Sequence, residues 1–206
     1  MFDKYFITVI KWPLSAAAKP LLAKGVTANQ ITVVGFVVGM LGVMALTQAL
    51  YNVALIAILI NRIFDGLDGA VARLDGSASD AGGYLDIVLD FIFYSAVVFG
   101  FAVANPEHNA LAAAFLIFSF MGTGSSFLAF SVMAAKRGIE QLDYGKKSLY
   151  FLGGITEGAE TIGCFVLMCL WPSEFAIIAV VFGLLCWVTT GTRIWAAYRM
   201  LSKAGL

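Results

Sequence analysis

Residues 65–90 read DGLDGAVARLDGSASDAGGYLDIVLD, and four acids in this stretch, Asp65, Asp68, Asp86 and Asp90, stand at helical spacings. Asp65 and Asp68 are i,i+3 and Asp86 and Asp90 are i,i+4, so each pair shares one face of a helix. Between them lie Asp75, Gly76, Ser77 and Ser79, residue types that favour a turn. An antiparallel pair of helices is expected. Position 77 is the midpoint of both Asp68–Asp86 and Asp65–Asp90, to within half a residue. The two carboxylate pairs are therefore expected at similar depth, facing each other.

The surrounding sequence sets this hairpin in a bilayer. Of 206 residues, 61% are hydrophobic and 13% charged, and the mean hydropathy is +0.90. A soluble domain carries about 25% charged residues. Thirteen Lys and Arg balance thirteen Asp and Glu, so nothing in the charge points to nucleic acid. The length suits a single domain spanning 1–206 and excludes a large multidomain enzyme. Apolar runs at 31–50, 51–72, 81–104, 109–135, 149–171 and 174–198 predict an all-α integral membrane protein with six transmembrane helices. Residues 1–24 mix Phe2, Tyr5, Phe6, Trp12 and Leu14 with Lys4, Lys11 and Lys19, which predicts an interfacial amphipathic helix ahead of a six-helix core at 25–206. The first long apolar run follows Lys24, so no cleaved signal peptide is expected.

Threading six spans places the N-terminus, the 73–80 turn, the 136–148 loop and the C-terminus on one side. Every Lys and Arg falls in or beside those segments, whereas the connections at 104–109 and 171–174 carry none. The positive-inside rule then puts both termini and the aspartate hairpin at the cytoplasmic face of the cell membrane, the inner membrane if the source is bacterial. His108, the single histidine, falls on the opposite side. Cys164, Cys169 and Cys186 lie in apolar runs without CxxC spacing and read as small core residues. Gly35/Gly39 and Gly154/Gly158 match the GxxxG helix-packing pattern.

Four carboxylates gathered in a low-dielectric setting repel one another. Protonation or cations would relieve that repulsion. All-oxygen anionic donors suit hard divalent ions, Mg²⁺ or Mn²⁺, and four can bridge two ions of the kind that clamp a phosphoryl centre. Gly69 and Gly82 remove side chains where backbone must approach a ligand, and Arg73 supplies a planar fork suited to phosphate. Together these residues suit a pyrophosphate-bearing substrate held at the membrane surface.

DGLDGAVAR, eight residues, then GGYLDIVLD resembles the signature of the CDP-alcohol phosphatidyltransferase family, D-x₂-D-G-x₂-A-R-x₈-G-x₃-D-x₃-D, with every fixed position present. The resemblance implies a membrane enzyme, commonly a homodimer, that transfers a phosphatidyl group from CDP-diacylglycerol to a small alcohol and releases CMP. It implies Asp65, Asp68 and Asp86 as metal ligands and Asp90 as both the completing ligand and the general base. Gly69, Arg73 and Gly82 match nucleotide-contacting positions, and Ser79 stands where the family often has Thr or Ser near the CDP. Thr27-Ala28-Asn29-Gln30-Ile31-Thr32 is similar to the family's T-P-N-x-I-T lead-in to the first span. Ala28 replaces the usual Pro there, and Asn29 stays available to the nucleotide.

The acceptor alcohol is less legible. Glu157 and Glu160 are i,i+3, with Thr161 one turn beyond Glu157, giving the fifth predicted span a polar face. Intramembrane carboxylates are functional candidates. Two uses stay open, contact with the acceptor or a structural ion pair with Arg62 or Arg193. Lys146, Lys147 and Arg193 are further candidates for a phosphorylated polyol, though topology alone accounts for cytoplasmic basic residues. Two alternatives compete with this reading. One is a phosphotransferase using CDP-choline or CDP-ethanolamine with diacylglycerol as acceptor. The other is a divalent-cation transporter, which predicts acids near mid-bilayer on several helices rather than around one hairpin.

Overall fold

Capping residues and short turns divide the chain into helices. The computed structural model describes residues 3–137 and 154–203, with side chains from residue 13 to 202. Among these, seven α-helices follow in order: α1 (Asp3–Ala23), α2 (Ala28–Thr47), α3 (Tyr51–Asp75), α4 (Asp80–Ala104), α5 (Pro106–Lys136), α6 (Gly158–Leu170) and α7 (Phe175–Lys203). A 3-10 turn at Pro172–Glu174 precedes the last. Thr27 begins α2 through a reciprocal cap. Its Oγ1 accepts from the Gln30 N–H at 3.3 Å, and Gln30 Oε1 accepts from the Thr27 N–H at 3.0 Å. α3 stops at Gly76, whose φ of +67° is a left-handed conformation that costs glycine little. Ser79 then caps α4 by accepting from the Gly82 N–H at 3.2 Å. Tyr51 stacks on Phe101 and Arg62 pairs with Asp90, so α3 and α4 run antiparallel, as expected.

The expected six transmembrane helices are not found. Among the described residues, four helices are long and apolar enough to cross a membrane, Ala28–Thr47, Asp80–Ala104, Pro106–Lys136 and Pro172–Ser202. α3 has 25 residues, but Arg62, Asp65, Asp68, Arg73 and Asp75 crowd it from its middle onward. α6 has 13 residues, about 20 Å of helix against a hydrocarbon core of about 30 Å. The apolar run 149–171 overstates that helix because Gly154–Glu157 is not helical. For the same reason Gly154/Gly158 is not a helix-packing pair, since Gly154 lies outside α6.

Close contact between small residues brings the helices together, as it must in a solvent as apolar as the side chains themselves. Gly35, Gly39 and Gly42 form a buried stripe along α2, and Gly42 faces Ala57 of α3. Between α4, α6 and α7 the core is aromatic. Phe93, Phe101, Phe165 and Phe175 are fully buried, and Phe101 stacks on Phe175 with centroids 4.7 Å apart. Cys164, Cys169 and Cys186 are buried free thiols in or beside this core, as expected. Val37, Leu41, Met44, Phe118, Met121 and Leu184 face outward. α1 lies against α3, where Leu14, Ala18, Leu21 and Leu22 pack on Leu67, Ala70 and Val71. The helix predicted within 1–24 thus braces the segment that carries the aspartates.

Candidate active site

α2, α3 and α4 meet where α2 begins, α3 ends and α4 begins. Thr32, Gly35 and Phe36 from α2, Asn61, Arg62, Asp65 and Asp68 from α3, and Asp86, Leu89, Asp90 and Phe93 from α4 line one pocket. The i,i+3 and i,i+4 spacings do bring the four carboxylates together. Asp68 is the most enclosed, 7% exposed, and its Oδ2 accepts from Thr32 Oγ1 at 2.5 Å.

Arg62 forms the floor of the pocket. Its Nη2 donates to Asp90 Oδ1 at 2.6 Å and its Nη1 to Asp90 Oδ2 at 3.3 Å, a two-point fork. Nη1 also donates to the Tyr94 hydroxyl at 3.1 Å, which in turn donates to Asp90 Oδ2 at 3.3 Å. Asp65 Oδ2 is 3.6 Å from the same Nη1. Behind the guanidinium, Asn61 Oδ1 accepts from Nε at 2.9 Å and from Nη2 at 2.7 Å. Asn61 is itself held by its Nδ2, which donates to the Gly35 carbonyl at 2.9 Å. The rings of Phe93 and Tyr94 each lie 5.4 Å from the guanidinium carbon.

The donor set is all oxygen and suits a hard divalent cation. Among the described residues, however, no group of three His, Cys, Asp or Glu side chains is arranged to hold a metal ion. Three of the four carboxylates already have partners in the protein, Asp90 and Asp65 in Arg62 and Asp68 in Thr32.

The residues expected to contact a nucleotide gather beside the pocket. A Cβ on Gly82 would lie 3.0 Å from Asn29 Oδ1 and 3.3 Å from Ser79 Oγ. Three of the expected residues are therefore neighbours at the α4 N-terminus. A Cβ on Gly69 would lie 3.1 Å from Arg73 Nη1, so the exposed Arg73 folds back over Gly69. Ser79 has a helix-capping role that the sequence reading did not anticipate.

A family model described as CDP-alcohol phosphatidyltransferase matches residues 25–197. The chain belongs to this family. As a CDP-alcohol phosphatidyltransferase it is an enzyme and a multi-pass membrane protein. It is 51% identical over 203 residues to the inner membrane protein YnjF of Escherichia coli (strain K12), covering 98% of each chain. Its fold is similar to crystal structures of Mycobacterium tuberculosis phosphatidylinositol phosphate synthase. The one with CDP-DAG bound gives a TM-score of 0.66 at 20% identity, covering 90% of this chain and 93% of that one. The one in complex with manganese and citrate gives the same TM-score and identity, covering 90% and 88%.

Among the described residues, the acceptor candidates of the phosphatidyltransferase lie on α6 and α7, and a Cβ on Gly158 at the start of α6 would lie 3.8 Å from the Tyr94 hydroxyl. Lys146 and Lys147 lie outside the described residues. Glu157 is the N-cap of α6, and its N–H donates to Glu160 Oε2 at 3.2 Å in a capping box. The carboxylates thus begin a helix instead of lining a long polar face. Arg193 on α7 donates through Nη1 to the Thr123 carbonyl at 3.3 Å and lies 5.7 Å from the Phe127 ring. His108 contacts Asn105 Oδ1 through Nδ1 at 3.2 Å, at the α4–α5 junction.

Sequence reasoning did not assign a site role to Thr32, Asn61 or Tyr94, and it offered Arg62 as a partner for Glu157 or Glu160. The structure pairs Arg62 with Asp90 and Asp65. One signal pointed there: Arg62 precedes Asp65 by three residues and so shares its helix face.

Proposed function

We propose that this enzyme transfers a phosphatidyl group from CDP-diacylglycerol to a small alcohol, a phosphorylated polyol among the candidates, with release of CMP. The observation that carries the reading is the convergence of Asp65, Asp68, Asp86 and Asp90 on one pocket, with Asn29, Ser79 and Gly82 gathered beside it. The fold similarity to a synthase crystallised with CDP-DAG adds support.

Asp65, Asp68 and Asp86 would hold Mg²⁺ or Mn²⁺ through carboxylate oxygens, with Asp90 completing the set, and two such ions would supply positive charge to the pyrophosphate and the leaving CMP oxygen. Thr32 fixes the carboxylate of Asp68. Gly82 leaves room for the nucleotide beside Asn29, and Gly69 leaves room below the Arg73 guanidinium. Asp90 accepts the proton of the acceptor hydroxyl as that oxygen forms a bond to the lipid-side phosphorus. The bond from that phosphorus to the bridging oxygen breaks, and its electron pair leaves with CMP. Glu157, Glu160 and Arg193 are the residues through which we place the acceptor. The reading includes a homodimer in the inner membrane, with the pocket facing the cytoplasm and membrane lipids around it.

The test uses purified full-length protein in detergent, CDP-diacylglycerol and a panel of small alcohols, with CMP release as readout. CMP release that needs both an alcohol and Mg²⁺ or Mn²⁺, stops with EDTA and is lost in Asp65→Asn and Asp90→Asn is expected. Full turnover in EDTA overturns the metal-assisted mechanism. No CMP release with any alcohol, together with cation uptake into liposomes, overturns the reading as a whole.

A further inference from the structure

We propose that Arg62 is a built-in counter-cation of the aspartate cluster, competing with divalent metal for Asp90 and so setting the affinity of the metal site. The inference rests on the proposed metal role of the four aspartates and goes beyond it.

The five N–H groups of Arg62 all have acceptors within the protein. Nε and one Nη2 hydrogen serve Asn61, the other Nη2 hydrogen serves Asp90 Oδ1, and the Nη1 pair serves Asp90 Oδ2 and the Tyr94 hydroxyl. Tyr94 adds a further donor to Asp90 Oδ2. Three of the four lone-pair sites of Asp90 are therefore committed to donors, so a cation bound by this carboxylate draws on the same negative charge that holds the fork. Metal and guanidinium compete for the charge of one carboxylate.

The remaining contacts of Arg62 do not depend on Asp90. Asn61 is only 4% exposed, is anchored on the Gly35 carbonyl and grips the guanidinium at two nitrogens. The faces of Phe93 and Tyr94 flank it. The positive charge consequently stays at the pocket floor when Asp90 turns away, and the exchange needs rotation of one carboxylate rather than movement of a helix. Asp65, 3.6 Å from Nη1, remains as a partner for the guanidinium afterwards. Without metal the guanidinium offsets one of four negative charges. With metal its charge opposes the incoming cation.

The experiment measures Mn²⁺ binding to the full chain in detergent by the electron paramagnetic resonance of free Mn²⁺, with thermal melts alongside. Arg62→Gln is expected to bind Mn²⁺ at least about tenfold tighter than the wild type, since one competing charge is gone. Its metal-free form should melt lower, and Mn²⁺ should raise its melting temperature by more than it raises the wild type's. In an Asp90→Asn background the gain from Arg62→Gln should shrink, because only the charge repulsion remains once the competition through Asp90 is gone. Arg62→Lys keeps the charge without the fork and should bind with intermediate affinity, and it serves if the glutamine variant does not fold. Unchanged or weaker Mn²⁺ binding in these variants overturns the proposal, as does a gain that is equally large in the Asp90→Asn background. Absence of Mn²⁺ binding in the wild type and both Arg62 variants overturns the metal reading itself.

Discussion

Thr32 and Asp68 join α2 to the motif helix through a hydrogen bond of 2.5 Å from Oγ1 to Oδ2. The same hydroxyl lies 3.1 Å from the Ala28 carbonyl of its own helix, but it has one proton, and the shorter contact to a carboxylate takes it. Residue 32 thus orients a carboxylate that sits 36 residues further along the chain. Thr32→Val keeps the shape and removes that donor. A hydrogen bond to a charged group contributes about 1.5–3 kcal/mol, so CMP release should fall about ten- to hundredfold at saturating alcohol. Thr32→Ser should retain most activity. Steady-state kinetics on both variants, with melting curves as a folding control, check this.

Gly82 and its neighbour Gly83 make an internal comparison. A methyl group at 82 would press on Asn29 Oδ1 and Ser79 Oγ, whereas one at 83 would meet nothing within 4 Å. Gly82→Ala is expected to raise the KM for CDP-diacylglycerol several-fold by filling the space beside Asn29. Gly83→Ala should match the wild type. Equal KM values for the two variants would remove residue 82 from the nucleotide site.

Gly35 sets how closely α2 approaches the pocket. A Cβ there would lie 2.6 Å from Phe64 Cβ, an atom fixed to the backbone, so the helices themselves would have to part. Overpacking of this kind costs about 1–3 kcal/mol. Parting the helices would also stretch the bond from Asn61 to the Gly35 carbonyl that supports Arg62. Gly35→Ala should therefore lower both melting temperature and activity. Gly163→Ala, with open space around its Cβ, should lower neither.

Thr189 anchors the turn before α6. Its fully buried Oγ1 accepts from the N–H groups of Ile155 and Thr156, each at 3.2 Å, and contacts Thr156 Oγ1 at 3.0 Å. Thr189→Val would leave buried donors unpaired at about 1–3 kcal/mol for each group. The expected result is faster amide exchange at 155 and 156 and a lower melting temperature. Because the same turn leads into Glu157, the KM for the acceptor should rise as well. Thr189→Ser should behave as the wild type does.

The aspartate hairpin was legible because its information is local. Helical spacing puts Asp65 with Asp68 and Asp86 with Asp90, the turn formers between them reverse the chain, and the symmetric spacing matches their depths. Counting spans from apolar runs failed at α3 and α6 because a hydropathy run records neither a helix's first residue nor charges that other helices satisfy. Arg62 on α3 is tolerated because Asn61, Asp90 and Tyr94 enclose it, and two of those partners lie 28 and 32 residues away.

From sequence alone follow the membrane class and the four acids that share a pocket, since each depends on composition or on spacing along one or two adjacent helices, and the family follows from resemblance to its signature. Only the packed structure decided what those acids touch. The partners of Asp68 and Asp90 come from α2, α3 and α4 together, and a hydrogen bond between helices depends on how closely and at what rotation they pack. Residue spacing along one chain carries no record of either.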